Sequence, residues 1–160
     1  MIIKRIWAMP NSRTFQIKPI KKILNDELQN DFFDPFPYPF ETDALKLLKN
    51  QERNSVKNIV FDPPYSQRQL KEMYHNIGFS YDMNNSYWSN CKDEIERITQ
   101  IHSKVISFGW NSNGIGKKRG FMIKKIWLIA HGSSHNDTII TLEEKIQQTM
   151  ENALEPFTEV

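Results

Sequence analysis

Asp62-Pro63-Pro64-Tyr65 brings a carboxylate, two conformationally fixed prolines and an aromatic ring into four consecutive residues. An exocyclic aromatic amine is a poor nucleophile because its lone pair is delocalised into the ring. A carboxylate and a backbone carbonyl that together accept its two hydrogens draw the nitrogen toward tetrahedral geometry and release that lone pair. Asp62 supplies the first acceptor and the Pro63 carbonyl the second. The paired prolines restrict φ and keep the chain from prolonging the preceding strand or entering the next helix early. Tyr65 offers a flat face on which an extruded base can stack. The plainer reading is a strand-to-helix turn built on two prolines, and four residues alone do not separate the two.

Such a loop works only if a strand delivers it to the carboxyl edge of a parallel sheet, where ligands of open α/β folds bind. Val56 to Phe61, centred on Ile59-Val60-Phe61, reads as a buried strand cut off by Pro63-Pro64. Ser66 caps the following helix, which carries Leu70, Met73 and Tyr74 on one side and ends at Gly78. A further helix is expected from Trp88 to His102 on Ile95, Ile98 and Ile101. Next comes a buried strand, Val105 to Phe108, with Gly109-Trp110-Asn111 as its exit loop. Phe121–Ala130 and Asp137–Glu143 are β-branched runs joined by His131 to Asn136, the pattern of a β-hairpin.

Upstream, Ile2 to Met9 reads as an edge strand or an extended arm. Ile17, Ile20, Ile23, Leu24 and Leu28 follow helical spacing, with Pro19 in the first turn. Pro35, Pro37 and Pro39 forbid a helix over Asp31 to Phe40 and limit any strand there to its first residues. Thr42 with Asp43 caps a helix through Leu45, Leu47 and Leu48. The alternation predicts an α/β domain over residues 1–146, with a mainly parallel sheet and an antiparallel edge, and a frayed polar tail over 147–160.

The 160 residues suit one domain, and 39% apolar residues are enough for a packed core. A net charge of +2 does not mark a nucleic-acid binder, so that reading needs a local patch. Lys117-Lys118-Arg119, between Gly116 and Gly120, is such a patch: a contact for DNA phosphates, or a solvated loop. Trp110 serves equally as a stacking platform or as packing. Cys91 stands alone, which excludes an intramolecular disulfide and a cysteine-rich zinc site. His131 and His135 flank a turn without a third ligand, so structural or capping roles are expected and no metal is assigned. Trp7 and Trp127 are expected in the core or at an interface. No apolar run reaches the roughly 18 residues of a membrane span, so a cytoplasmic protein is expected.

Asp62-Pro63-Pro64-Tyr65-Ser66 resembles motif IV of the amino-methyltransferases, whose Asp-Pro-Pro-Tyr core usually accompanies adenine N6. Further segments resemble a phage and prophage group of DNA adenine-N6 methyltransferases. They are Arg5-Ile6-Trp7-Ala8-Met9-Pro10-Asn11, Thr14 to Ile20, Trp88-Ser89, Ile106 to Gly114, and His135 to Ile139. The resemblance implies S-adenosylmethionine as methyl donor, DNA as partner and a bacterial or phage-infected cell as setting. It makes Asp62, Pro63, Pro64 and Tyr65 the catalytic loop, with Tyr65, Trp110, Lys117, Lys118 and Arg119 toward DNA. Toward the cofactor it leaves Phe15, Lys18, Asp34, Phe36 and Asp43, with Asp34 placed to meet the methionine ammonium and the aromatics to cover the adenine.

The chain also departs from that group. Asp34-Pro35-Phe36 matches the end of the group's first strand and Asp43-Ala44-Leu45 a later segment, yet only six residues, Pro37 to Thr42, separate them. A βαβ crossover needs at least about ten to twelve. The expectation is therefore a truncated Rossmann-like methyltransferase fold with about five strands instead of seven. Two functions stay open: an enzyme whose cofactor site is completed by a homo-oligomer or partner chain, and a catalytically degenerate module that binds DNA or protein.

Overall fold

The chain's computed structural model describes residues 1–37, 41–64, 66–76, 78, 86–132 and 135–147. Ile59, Val60 and Phe61 are all buried, and they alternate between two apolar clusters on opposite faces of one sheet. Among the described residues that sheet has five strands: β1 Ile2–Trp7, β2 Val56–Phe61, β3 Thr99–Gly109, β4 Phe121–Ala130 and β5 Thr138–Lys145. Their spatial order is β1-β4-β5-β3-β2. β1 runs parallel to β4 and β2 parallel to β3, while β5 is antiparallel to both of its neighbours. The sheet is thus mostly parallel, as its alternating elements imply. The β4–β5 hairpin lies inside it, however, because β1 returns to cover the outer side of β4.

α1 (Lys18–Leu28) packs on one face through Ile20, Ile23, Leu24 and Leu28, against Ile106, Phe108, Trp127 and Ile140. The other face carries α2 (Ala44–Lys49), α3 (Gln67–Asn76) and α4 (Tyr87–Ile98), whose Leu48, Leu70, Tyr74, Cys91 and Ile95 pack on Ile59, Phe61 and Val105. Burying side chains of this size stabilises a fold by about 1.5–3 kcal/mol each. The result is a three-layer α/β/α sandwich.

Two caps fall where side-chain chemistry demands them. The Asp43 carboxylate accepts the Lys46 N–H at 2.8 Å and starts α2, and the Ser66 hydroxyl accepts the Gln69 N–H at 3.2 Å ahead of α3. α4 is shorter than its apolar spacing suggests: it stops at Ile98, and Thr99 to His102 open β3. The stop is a tertiary effect. The buried Lys145 ammonium, from β5, donates to the carbonyl of Thr99 at 2.8 Å and to that of Glu96, satisfying acceptors at the end of α4.

Beyond β2 the sheet holds one more element among the described residues. Phe33 forms an isolated parallel bridge to Ile59, donating its N–H to the Asn58 carbonyl at 2.9 Å and accepting from the Val60 N–H at 3.0 Å. Pro35 ends it at once, since proline cannot donate to a ladder. At the opposite edge β1 is mostly exposed, and Trp7, expected in the core or at an interface, is 63% exposed there, whereas Trp127 is buried. His131 closes the junction of β1, β4 and β5, its Nδ1 3.0 Å from the Ala8 carbonyl and its Nε2 2.9 Å from the Thr138 hydroxyl. No helix among the described residues is long and apolar enough to cross a membrane. Residues 148–160, the expected tail, lie outside the described residues.

Candidate active site

β2 and the Phe33 bridge end side by side, so Asp62 and Asp34 emerge at the same sheet edge. Thr14, in the turn before α1, hydrogen-bonds the Asp62 carboxylate. Burial pushes the Asp62 carboxyl up to about 7, against the lowering effect of the Thr14 hydroxyl and with a further rise from the Asp34 charge. Burial likewise raises Asp34 to about 6, while the Phe36 N–H, donating to it at 2.8 Å, lowers it. Asp34 ionises first, so Asp62 must ionise against a charge already present. Two carboxylates desolvated together form a site that favours a cation or a hydrogen-bond donor between them.

Asp62 sits between two residues, Phe61 and Pro63, that line a cleft of about 200 Å³ together with Pro64, Trp88, Ser107 and Trp110 among others. Pro63 and Pro64 form one wall, Trp88 comes from α4, and Trp110, 54% exposed, stands at the end of β3. The loop after β3 is held by Glu143, which is fully buried and accepts the N–H groups of Ile115 at 2.6 Å and Gly116 at 3.0 Å. Gly114 has φ +55°, and a Cβ there would overlap the Glu143 carboxylate, so only glycine fits.

The other residues singled out from the sequence are distributed unevenly. Phe15 packs on Phe108 and Phe32, with ring centroids 5.6 and 6.1 Å away, close to Thr14. Phe36 is buried between Phe61 and Trp88, which makes it a wall of the core and not an open face for an adenine ring. Asp43 is occupied: besides capping α2 it accepts the Tyr87 hydroxyl at 2.9 Å, and Tyr87 is 2.7 Å from the Tyr74 hydroxyl. Lys18 is exposed in the first turn of α1, beside a groove along Trp7, Met9 and Ile17. Arg119 bonds Asp93 at 2.6 Å and the Ser89 hydroxyl at 2.9 Å, which anchors its turn to α4 and leaves Lys117 and Lys118 exposed. Tyr65 lies outside the described residues. Sequence reasoning did not single out Thr14, Lys92 or Ser107, because each is chemically ordinary until the fold sets it beside Asp62 or in the cleft.

Several solved structures align with this chain at low identity. TTHA0409 from Thermus thermophilus, assigned as a DNA modification methylase, aligns at 16% identity and a TM-score of 0.44, over 72% of this chain and 55% of its own. TTHA0409 has also been solved with S-adenosyl-L-methionine, aligning at 15% identity and a TM-score of 0.43, over 72% of this chain and 54% of its own. The Escherichia coli yhhF protein, assigned as a methyltransferase, aligns at 12% identity and a TM-score of 0.41, over 90% of this chain and 63% of its own. This chain therefore spans little more than half the length of TTHA0409. Likenesses this distant say nothing about chemistry, which rests on the chain's own residues. No protein-family model matches the chain, and neither does any curated protein.

Proposed function

We propose that this chain is the acceptor-activating part of an S-adenosylmethionine-dependent DNA adenine-N6 methyltransferase, completed on its cofactor side by a second chain. The observation that carries the reading is the Asp62 carboxylate, desolvated and raised by the Asp34 charge, in the same loop as Pro63 and Pro64, which wall the cleft with Trp88 and Trp110. In this reading one N6 hydrogen donates to Asp62 and the other to the Pro63 carbonyl. The nitrogen then holds its lone pair free for attack. Asp62 next takes the proton that the methylated nitrogen sheds, a transfer suited to a carboxyl near 7. Thr14 fixes the carboxylate's orientation, and Tyr65 supplies the stacking face.

The fit of the methyl donor is partial. Asp34 and Asp62 suit its cationic end, whose sulfonium supplies the activated methyl group. Its ribose calls for a carboxylate such as a Rossmann second strand carries. Among the described residues the sheet stops at Phe33, and Asp43 is already committed to Lys46 and Tyr87. Losing two charge-assisted hydrogen bonds, at about 1.5–3 kcal/mol each, weakens binding by about two to four orders of magnitude. The same gap favours a second reading, a catalytically degenerate subunit that binds DNA or protein. Isothermal titration of the purified chain with S-adenosylmethionine, paired with a tritiated-methyl transfer assay on adenine-containing DNA, separates them. Weak or undetectable binding by the chain alone, with transfer appearing when a partner is added, is the expected result. Micromolar binding by the monomer removes the need for a partner, and no transfer under any combination favours the degenerate subunit.

A further inference from the structure

The cleft walled by Pro63 and Pro64 contains two polar groups that the proposed chemistry does not use. The Ser107 hydroxyl is buried, lines the cleft from β3 and has no hydrogen-bond partner among the described residues. A buried hydroxyl without a partner is costly, so a ligand that supplies one is favoured. Lys92 reaches the same cleft from α4, half-buried, and no hydrogen bond or ion pair engages its ammonium among the described residues. Burial weakens its charged form, Arg119 adds repulsion, and Glu143 offsets part of both. Everything else on the cleft wall is apolar, aromatic or small apart from Asn111.

Resting on the reading that this cleft receives the acceptor base, we propose that Lys92 and Ser107 are its specificity-determining contacts, donating to ring nitrogens beside the exocyclic amine. Adenine suits such a pair. Its N6 is flanked by two acceptors, N1 and N7, whereas the N4 of cytosine is flanked by N3 on one side and a C–H on the other. Two acceptors for the amine, Asp62 and the Pro63 carbonyl, and two donors beside it form a pattern complementary to adenine and one hydrogen bond short for cytosine. A site built to hydrogen-bond a group discriminates strongly against an analogue that lacks it, because its own polar atoms are then left unpaired.

Fluorescence anisotropy with short single-stranded oligonucleotides tests this, each carrying one adenine, 1-deazaadenine, 7-deazaadenine or cytosine. Wild-type protein should bind the adenine probe about tenfold more tightly than either deaza probe, in line with a hydrogen bond to a charged or buried group. Lys92→Met and Ser107→Ala should each lose discrimination against one of the deaza probes and keep the other. Ser107→Ala removes a buried, unpartnered hydroxyl, so it should fold at least as well as wild type, and a thermal melt of each variant checks folding. Unchanged discrimination in both folded variants overturns the proposal, and so does a wild type that binds all four probes equally. Methyl transfer without deaza discrimination defeats this assignment and leaves the enzyme reading standing, while discrimination without transfer does the reverse.

Discussion

Replacing Asp62 by asparagine should make the protein more stable at alkaline pH while abolishing the proposed methyl transfer. The unfolded chain ionises Asp62 near its ordinary 3.8, and the folded chain only near 7. Below about pH 4 both states hold the proton and the residue costs nothing. Between about 4 and 7 the unfolded state releases it and the folded state does not, so stability falls as pH rises. Above 7 both are ionised and the penalty is at its full size. At about 1.4 kcal/mol per pH unit, the interval from 3.8 to about 7 corresponds to at most about 4 kcal/mol. Asp62 keeps part of its surface in solvent, so screening reduces the expected gain to about 1–2 kcal/mol. Asparagine still accepts from Thr14 and carries no charge to repel Asp34. Urea melts at pH 8 should show that gain, equivalent to about 2–8 °C in Tm for a domain of this size. At pH 4 the two proteins should agree within about 0.5 kcal/mol. Equal stability at pH 8, or a gain independent of pH, would refute the claim that Asp62 is held under electrostatic strain for function.

Three further outcomes follow from the same geometry. Under the proposed function, methyl transfer should rise with pH through about 7, because ionised Asp62 is the form that accepts from the amine, and a rate profile that is flat from pH 6 to 8 contradicts this. Thr14→Val keeps the side-chain shape but removes the hydroxyl that lowers the Asp62 carboxyl, so the midpoint of that profile should move upward; an unmoved midpoint breaks the link between the two residues. Gly114→Ala should destabilise the fold by about 2–4 kcal/mol, through its positive φ and the clash with Glu143. Normal denaturation of that variant would mean that the loop after β3 is not clamped.

The local elements were legible before any tertiary contact was known, because local rules govern them. Val56–Phe61 is a strand since an apolar β-branched run is cut by two prolines; Pro19, Asp43 and Ser66 start three helices since their chemistry suits a first turn. The short span between Asp34 and Asp43 likewise implied a reduced sheet, and among the described residues the sheet has five strands. The interior of the sheet was not legible. Nothing local says that β5 enters between β4 and β3, or that α4 stops at Ile98, where Lys145 meets its last carbonyls, three residues before its apolar spacing ends at Ile101. The site divides the same way. Asp62-Pro63-Pro64 stands out by composition, but its environment comes from residues remote in the chain: Thr14 and Asp34 around the carboxylate, Lys92 and Ser107 in the cleft. A sequence specifies which groups are present and how each stretch turns. Desolvation and charge–charge contact depend on which stretches meet, and only the packed chain decides that.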